Sequence, residues 1–217
     1  MITDDKLIEQ YRELHKSTKY GQTARSAFAS LKLCMDQANP SSVIEYGCGQ
    51  SQLYKILGKP DMIYDRYDPA VLGLDKVPDK SYEFLINTDV LEHIPEKDLD
   101  AVIGHFKELS EHAYIRISTR LARTILPNGE NAHCTVWPGE KWLAHIRKFY
   151  PEAEMLYEQV GESCLILSWK SGLGERITAI EDKWARRKNR PVRKFLKGLE
   201  KLGKRIRNAI RGGSKPN

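Results

Sequence analysis

Two histidines are candidates for a side chain that takes a proton from a substrate. His93 closely follows an apolar segment, and His133 lies in a long polar stretch, residues 120–138. Histidine suits general-base catalysis because its unperturbed pKa lies near neutral pH. Both are therefore candidate catalytic residues. The sequence leaves open that His93 packs against a following helix and that His133 is an ordinary exposed loop residue.

A glycine turn follows the first apolar segment. Residues 42–46 lead into Gly47 and Gly49 in the pattern Glu-x-Gly-x-Gly-x-Ser. Glycine lets the backbone adopt positive φ and approach a ligand closely. Glu45, an acid in this apolar segment, could meet a cationic group of that ligand. A plain strand-to-helix turn is the alternative interpretation.

A second acid, Asp68, ends the next apolar segment and precedes Pro69. At the end of a parallel strand, a carboxylate can accept hydrogen bonds from both hydroxyls of a ribose. An ordinary turn aspartate before proline would have the same sequence.

Strands and helices alternate along the chain. Apolar runs predict strands at 42–46, 62–67, 82–87, 113–118, 153–159 and 163–169. Three- and four-residue spacing of apolar residues predicts helices at 4–16, 22–38, 51–57, 95–110 and 140–149. This alternation predicts an α/β fold with a parallel sheet and an antiparallel end. Open sheets of this kind bind ligands at the carboxyl ends of their strands.

The segment Asp89-Val90-Leu91-Glu92-His93-Ile94-Pro95 follows the third predicted strand. Together with the glycine turn and Asp68, it resembles the class I S-adenosylmethionine-dependent methyltransferases, where such a segment follows the fourth strand. The resemblance covers residues 41–119 well and 1–169 loosely. It implies a Rossmann-like, mostly parallel sheet with an antiparallel terminal strand and N-terminal helices.

The resemblance also implies roles for individual residues. Glu45 would face the methionine end of S-adenosyl-L-methionine, and Asp68 would hold the ribose hydroxyls. The cofactor-binding residues expected in this way are Glu45, Gly47, Cys48, Gly49, Gln50, Asp68, Pro69, Asp89, Val90 and Leu91. Two departures from the family pattern are Ser51, which replaces a third glycine, and the short gap between Asp68 and Tyr82. The gap implies that a helix and a strand are trimmed or missing, and Asp75 becomes the candidate for the adenine contact.

Charge is distributed unevenly along the chain. Residues 183–217, the basic segment, hold 14 of the 35 basic residues and one of the 29 acidic residues, so they carry +13 and the rest carries −7. Apolar residues recur within the segment at intervals of three to four residues, which predicts a basic C-terminal amphipathic helix. Such a helix suits an anionic membrane surface. Nucleic acid and packing onto the globule are the alternatives.

We therefore expect a methyltransferase domain over 1–170, with 1–40 as a helical lid, and a basic amphipathic tail over 171–217. The predicted reaction is O-methylation of a saccharide or lipid-linked glycan, for which the polar residues Arg120, Arg123 and Asn131 suit the acceptor. RNA methylation and a non-catalytic binding module are the alternatives.

The four cysteines are far apart in the sequence and show no metal-ligand spacing, so no metal site is predicted. No apolar run approaches the roughly 20 residues of a membrane span. The expected location is cytoplasmic, with peripheral association at the inner face of the cell membrane through residues 183–217.

Overall fold

A six-stranded sheet forms the centre of the structure, a computed structural model that describes residues 5–17 and 27–188. The strands are β1 (Ser42–Tyr46), β2 (Ile63–Tyr67), β3 (Phe84–Thr88), β4 (Ala113–Ser118), β5 (Glu154–Gln159) and β6 (Ser163–Leu167). Their order in the sheet is β2-β1-β3-β4-β6-β5. The first four strands run parallel, and β6 is antiparallel to both β4 and β5. The predicted α/β fold with an antiparallel last strand is confirmed.

Six α-helices accompany the sheet within the described residues. They are α1 (Asp5–Ser17), α2 (Phe28–Ala38), α3 (Tyr54–Leu57), α4 (Leu99–Leu109), α5 (Gly139–Ile146) and α6 (Gly174–Lys188). Every residue of β3 and β4 is buried, because helices cover both faces of the sheet. One apolar cluster packs α4 and α5 against the sheet, and a second contains buried residues of α2 together with Ile177 of α6.

Two predicted helices begin later than expected. Pro95 does not open a long helix: a 3-10 turn at Glu96–Asp98 follows it, and α4 begins only at Leu99. Another 3-10 turn, at Leu91–His93, precedes the proline. Similarly, α3 begins at Tyr54 rather than at Ser51, and the Ser51 hydroxyl accepts the Leu53 amide at 3.1 Å just before the helix. Both corrections concern the segments that directly follow strands.

Residues 68–83 contain neither helix nor strand. The sequence predicted this loss from the short gap between Asp68 and Tyr82. As a result β2, with its partly exposed side chains, is an edge strand of the sheet.

The chain divides into two units, Met1–Thr178 and Ala179–Asn217. The basic segment beyond residue 188 lies outside the described residues. The predicted amphipathic tail and its boundary at residue 171 therefore stay predictions. None of the helices in the described part is both long enough and apolar enough to span a membrane.

Candidate active site

Three strands, β1, β2 and β3, end side by side, and the segments after them line a cavity of about 100 Å³. Seven of the predicted site residues line it: Gly47, Gly49, Asp68, Pro69, Asp89, Val90 and His93. Helix α1 contributes Leu7, Ile8, Tyr11 and His15 to the same cavity. The cavity thus lies at the carboxyl ends of parallel strands, where α/β sheets bind ligands.

The glycine turn, residues 47–50, can be built only with glycine at its first position. Gly47 has φ +72°, and a Cβ added there would lie 2.4 Å from Cγ2 of Val90. The amides of Gly47 and Cys48 both donate to the carbonyl of Tyr67, at 2.8 and 3.1 Å. Backbone conformation and space therefore both require glycine where the turn meets the segment after β3.

Asp68 joins the glycine turn to the end of β2. One carboxylate oxygen accepts the N–H of Gly49 at 2.7 Å, and the other accepts the N–H of Ala70 at 2.8 Å. Burial raises the pKa of Asp68, and these two backbone bonds oppose the rise. Each carboxylate oxygen has a second lone pair. The geometry is therefore compatible with the ribose role that the sequence suggested.

Glu45 lies outside the cavity lining. It is 2% exposed, and its Oε2 accepts a hydrogen bond from the Tyr64 hydroxyl at 3.0 Å. Burial raises the pKa of Glu45, while bonds from Ser51 and Tyr64 and the charge of Arg66 lower it. Arg66 also donates to the carbonyls of Gly49 and Ser51, at 3.4 and 3.2 Å. Glu45 thus belongs to a polar group behind the turn, and its contact with a methionine end stays a prediction.

Other predicted residues also lie outside the lining. Cys48 is buried, and Leu91 is a fully buried member of the hydrophobic core. Gln50 donates from its Nε2 to the His15 carbonyl at 2.8 Å, which connects the turn to α1. Asp75, the adenine candidate, is exposed and accepts a hydrogen bond from the Gly73 amide at 3.2 Å.

The two predicted histidines contact each other: His93 lines the cavity, and His133 packs against it from outside the lining. Their rings pack edge to face with centroids 4.7 Å apart. His93 Nδ1 lies 2.7 Å from the carbonyl of Ala132, and His133 Nδ1 lies 2.5 Å from the carbonyl of Arg120. Because a carbonyl can only accept, both Nδ1 atoms carry the hydrogen and both Nε2 atoms carry a lone pair.

Burial keeps this histidine pair, His93 and His133, in the neutral form. It lowers the pKa of His93 to about 3, with a further lowering from His133. Burial also lowers the pKa of His133, against the hydrogen bond to the Arg120 carbonyl, which raises it. Neutral imidazoles can accept a proton or bind a metal ion.

The polar loop, residues 120–138, reaches the cavity through bonds to the segment after β3. Thr135 donates from its amide to the Glu92 carbonyl at 3.0 Å and from its hydroxyl to the Ile94 carbonyl at 2.6 Å. The Tyr11 hydroxyl of α1 donates to the Ala132 carbonyl at 2.6 Å. These bonds bring His133 to His93 although forty residues separate them.

Glu92 is a site residue that sequence reasoning missed. It is fully buried, and its Oε1 accepts the Ser118 amide at 3.0 Å. Its Oε2 is buried and has no hydrogen-bond partner in the described part of the chain. Burial raises the pKa of Glu92 well above its ordinary value. An acid next to His93 in the segment after β3 was the available signal.

Comparisons with known proteins agree with this architecture. No protein-family model matches the sequence, and no curated protein matches it. The solved methyltransferase domain of bacterial CtHen1-C aligns with a TM-score of 0.50 at 13% identity, covering 69% of this chain and 100% of that domain. The 1,6-didemethyltoxoflavin-N1-methyltransferase of Burkholderia thailandensis, solved with S-adenosylhomocysteine bound, aligns with a TM-score of 0.50 at 11% identity, covering 75% and 84%. The chain therefore has the class I methyltransferase fold.

Proposed function

We propose that the protein transfers a methyl group from S-adenosyl-L-methionine to a hydroxyl oxygen. The observation that carries this proposal is the cavity lined by the glycine turn, Asp68 and His93, with His133 packed against His93. The fold supports the choice of cofactor, since the Burkholderia thailandensis enzyme was solved with the demethylated product S-adenosylhomocysteine bound.

Methyl transfer of this kind is an in-line displacement. The bond between sulfur and the methyl carbon breaks, the bond between the acceptor oxygen and that carbon forms, and the sulfonium becomes a neutral thioether. The protein must align the three atoms. A base must take the proton of the acceptor hydroxyl. Of the histidine pair, His133 is the better base, because burial lowers the pKa of His93 to about 3 and makes that imidazole a weak base.

The acceptor that we propose is a saccharide or a lipid-linked glycan. The polar loop offers an exposed Arg123 for such an acceptor. Two other residues of the predicted polar set are already engaged: Asn131 bonds to the backbone of Ala122 and His133, and Arg120 lies 3.2 Å from Glu162. Arg123 and the histidine pair are therefore the acceptor-facing candidates.

The membrane is the proposed place of reaction. The charge of +13 on the basic segment favours an anionic surface. A peripheral position at the inner face of the membrane would bring a lipid-linked acceptor to the cavity.

Calorimetric titration with S-adenosylhomocysteine tests the cofactor assignment. Wild-type protein should bind it, and Asp68→Ala should bind at least about tenfold more weakly, because two buried amides lose their acceptor. Asp79→Ala, which removes an exposed acid outside the cavity, is the matched control. Folded wild-type protein that does not bind would overturn the proposal and favour a non-catalytic module.

Transfer assays then test the acceptor. Labelled methyl groups from S-adenosyl-L-methionine should appear in lipid-linked saccharides and not in RNA. Transfer to RNA alone would replace the glycan with RNA as the substrate.

A further inference from the structure

Glu92 and the histidine pair form a cluster that general-base catalysis does not explain. One carboxylate oxygen of Glu92 and one ring nitrogen of each histidine all lie within 4.8 Å of one another. Among the described residues, this is the one group of three histidines, cysteines or acids that is arranged in this way. A base needs a single imidazole, whereas the structure holds two beside a buried acid.

The buried carboxylate of Glu92 is the strongest indication that a ligand binds in this cluster. Its side chain is fully buried, yet Oε2 makes no hydrogen bond within the described residues. Leaving a buried polar atom unpaired destabilises the fold, and more so when the group is charged. Buried carboxylates are normally paired with a cation or bound to a metal. The two imidazoles lie within 4.8 Å of one oxygen of this carboxylate.

Both imidazoles are oriented as metal ligands are. Each Nδ1–H donates to a backbone carbonyl, that of Ala132 for His93 and that of Arg120 for His133. A hydrogen bond of this kind fixes the orientation of the ring in metal-binding histidines.

Asp89 adds a negative charge beside the cluster. It precedes Glu92 by three residues and has φ +54°, a backbone conformation that is rare for residues other than glycine. Its charge acts on both Glu92 and His133. A cation within the cluster would be attracted by two carboxylates.

We propose that Glu92, His93 and His133 bind one divalent transition-metal ion. Two imidazole nitrogens and one carboxylate oxygen suit zinc, manganese, iron or cobalt. Two ligand atoms about 2.1 Å from one ion and separated by about 90–110° lie about 3.0–3.4 Å apart, so binding requires the cluster, whose atoms lie within 4.8 Å, to contract by up to about 1.8 Å. The sequence analysis predicted no metal site, because the ligands proposed here come from segments forty residues apart.

The role of the ion rests on the proposed function. Three protein ligands leave coordination positions open for an acceptor hydroxyl. A bound ion lowers the pKa of that hydroxyl, so the proton passes to solvent and the oxygen attacks the methyl carbon as an alkoxide. In the ion-loaded protein, the histidine pair therefore acts on the acceptor through the ion.

Cobalt binding tests the site without any need for activity. Metal-free full-length protein is titrated with Co²⁺ alone, and the visible absorption band and the calorimetric stoichiometry are recorded. We expect one equivalent to bind with a band typical of nitrogen and oxygen ligands. His133→Asn and Glu92→Gln should each weaken binding at least about tenfold.

Three controls keep the outcome interpretable. His112→Asn removes an exposed histidine outside the cluster, and Cys134→Ser removes an exposed thiol beside it; both should bind Co²⁺ as the wild type does. If Glu92→Gln does not fold, the half-buried His133 provides the test by itself. Titration of the same proteins with S-adenosylhomocysteine provides the third control and tests the proposed function separately.

Absence of a cobalt band in wild-type protein would overturn the proposal, as would equal binding by His133→Asn. A sulfur-to-cobalt charge-transfer band that disappears in Cys134→Ser would also overturn it. Cobalt binding without cofactor binding would keep the metal site and remove the methyltransferase role.

Discussion

Gly47 fixes the distance between the glycine turn and the segment after β3. We expect Gly47→Ala to lower the free energy of unfolding by more than the about 1–2 kcal/mol that a left-handed conformation costs an alanine. The added Cβ would also lie 2.4 Å from Cγ2 of Val90. Equilibrium unfolding in urea measures the loss.

Gly161 provides the matched control for this prediction. It has the same φ of +72°, but an added Cβ there meets nothing within 4 Å. Gly161→Ala should therefore show only the conformational cost, and Val90→Ala should recover part of the additional loss in Gly47→Ala. Equal losses at both glycines would contradict the steric explanation.

Asp65 gives the edge strand β2 a pH-dependent interaction. Burial raises the pKa of Asp65, but the hydrogen bonds from Lys80 and Tyr82 outweigh it, so the pKa is lowered. Lys80 Nζ and the Tyr82 hydroxyl lie 2.7 and 2.8 Å from its Oδ2. A carboxyl whose pKa is lower in the folded state stabilises the fold above its unfolded value, about 3.9, and loses this as pH falls through the folded pKa.

We therefore expect Asp65→Asn to have a lower Tm than wild type near pH 7, with the difference disappearing below about pH 4. Thermal unfolding over this pH range is the measurement. The effect should be small, because the pair is about half exposed and is screened by solvent. Asp61→Asn, an exposed site outside the pair, is the control, and a Tm difference that does not change with pH would argue against the interaction.

At the scale of elements, α1 covers the cavity and contacts the segments on either side of that cavity. Arg12 donates to the Pro69 carbonyl at 3.2 Å, and Gln10 accepts the Asn128 amide of the polar loop at 2.9 Å. The cavity of about 100 Å³ is smaller than the roughly 300 Å³ or more of ligand sites. We therefore expect α1 to shift when the cofactor binds, in agreement with its predicted role as a lid.

Leu14 is the residue through which that movement can be tested. It is buried against Leu126 and Ala132 in a small apolar cluster apart from the main core. Leu14→Ala should weaken the docking of α1 by about 2 kcal/mol, the lower end for buried leucine. Hydrogen exchange should become faster in α1 and the polar loop, and stay unchanged in β3 and β4.

Glu13→Ala changes an exposed residue of the same helix and should leave exchange unchanged. Bound S-adenosylhomocysteine should alter the exchange of α1 in wild-type protein. Exchange that is the same with and without ligand would exclude movement of α1 on binding.

At the scale of the whole molecule, charge is the property that suggests a partner. Deleting residues 189–217 removes ten basic residues and one acidic residue, which changes the net charge from +6 to −3 and keeps α6. We expect full-length protein to bind vesicles that contain phosphatidylglycerol, because basic residues near an anionic surface each contribute about 1 kcal/mol. The deletion variant should bind these vesicles at least about tenfold more weakly, as measured by co-sedimentation.

Salt and lipid composition separate the possible causes. Binding should fall as salt rises, since exposed charges are screened within about 10 Å. Vesicles of phosphatidylcholine alone should bind little of either protein. Salt-dependent binding to RNA, with none to anionic vesicles, would assign the basic segment to nucleic acid instead.

Local patterns in the sequence determined the order of the elements and half of the site. Apolar runs predicted all six strands to within two residues at either end, because strands that pack against a core carry apolar residues on their buried faces. The glycines and Asp68 were found because each directly follows a strand, and Asp89 was found through the resemblance of residues 89–95 to the methyltransferase family. The start of α4 was missed, because the 3-10 turns after β3 depend on contacts with the polar loop.

Only the tertiary structure decided which side chains meet. His93 and His133 pair because Thr135 binds the carbonyls of Glu92 and Ile94, contacts between residues about forty positions apart that no local pattern contains. Glu45 and Leu91 are buried and do not line the cavity. Glu92 Oε2 is also buried and has no hydrogen-bond partner among the described residues. The sequence thus determined which chemical groups lie near the strand ends. Packing of the polar loop and α1 decided which of them face one another.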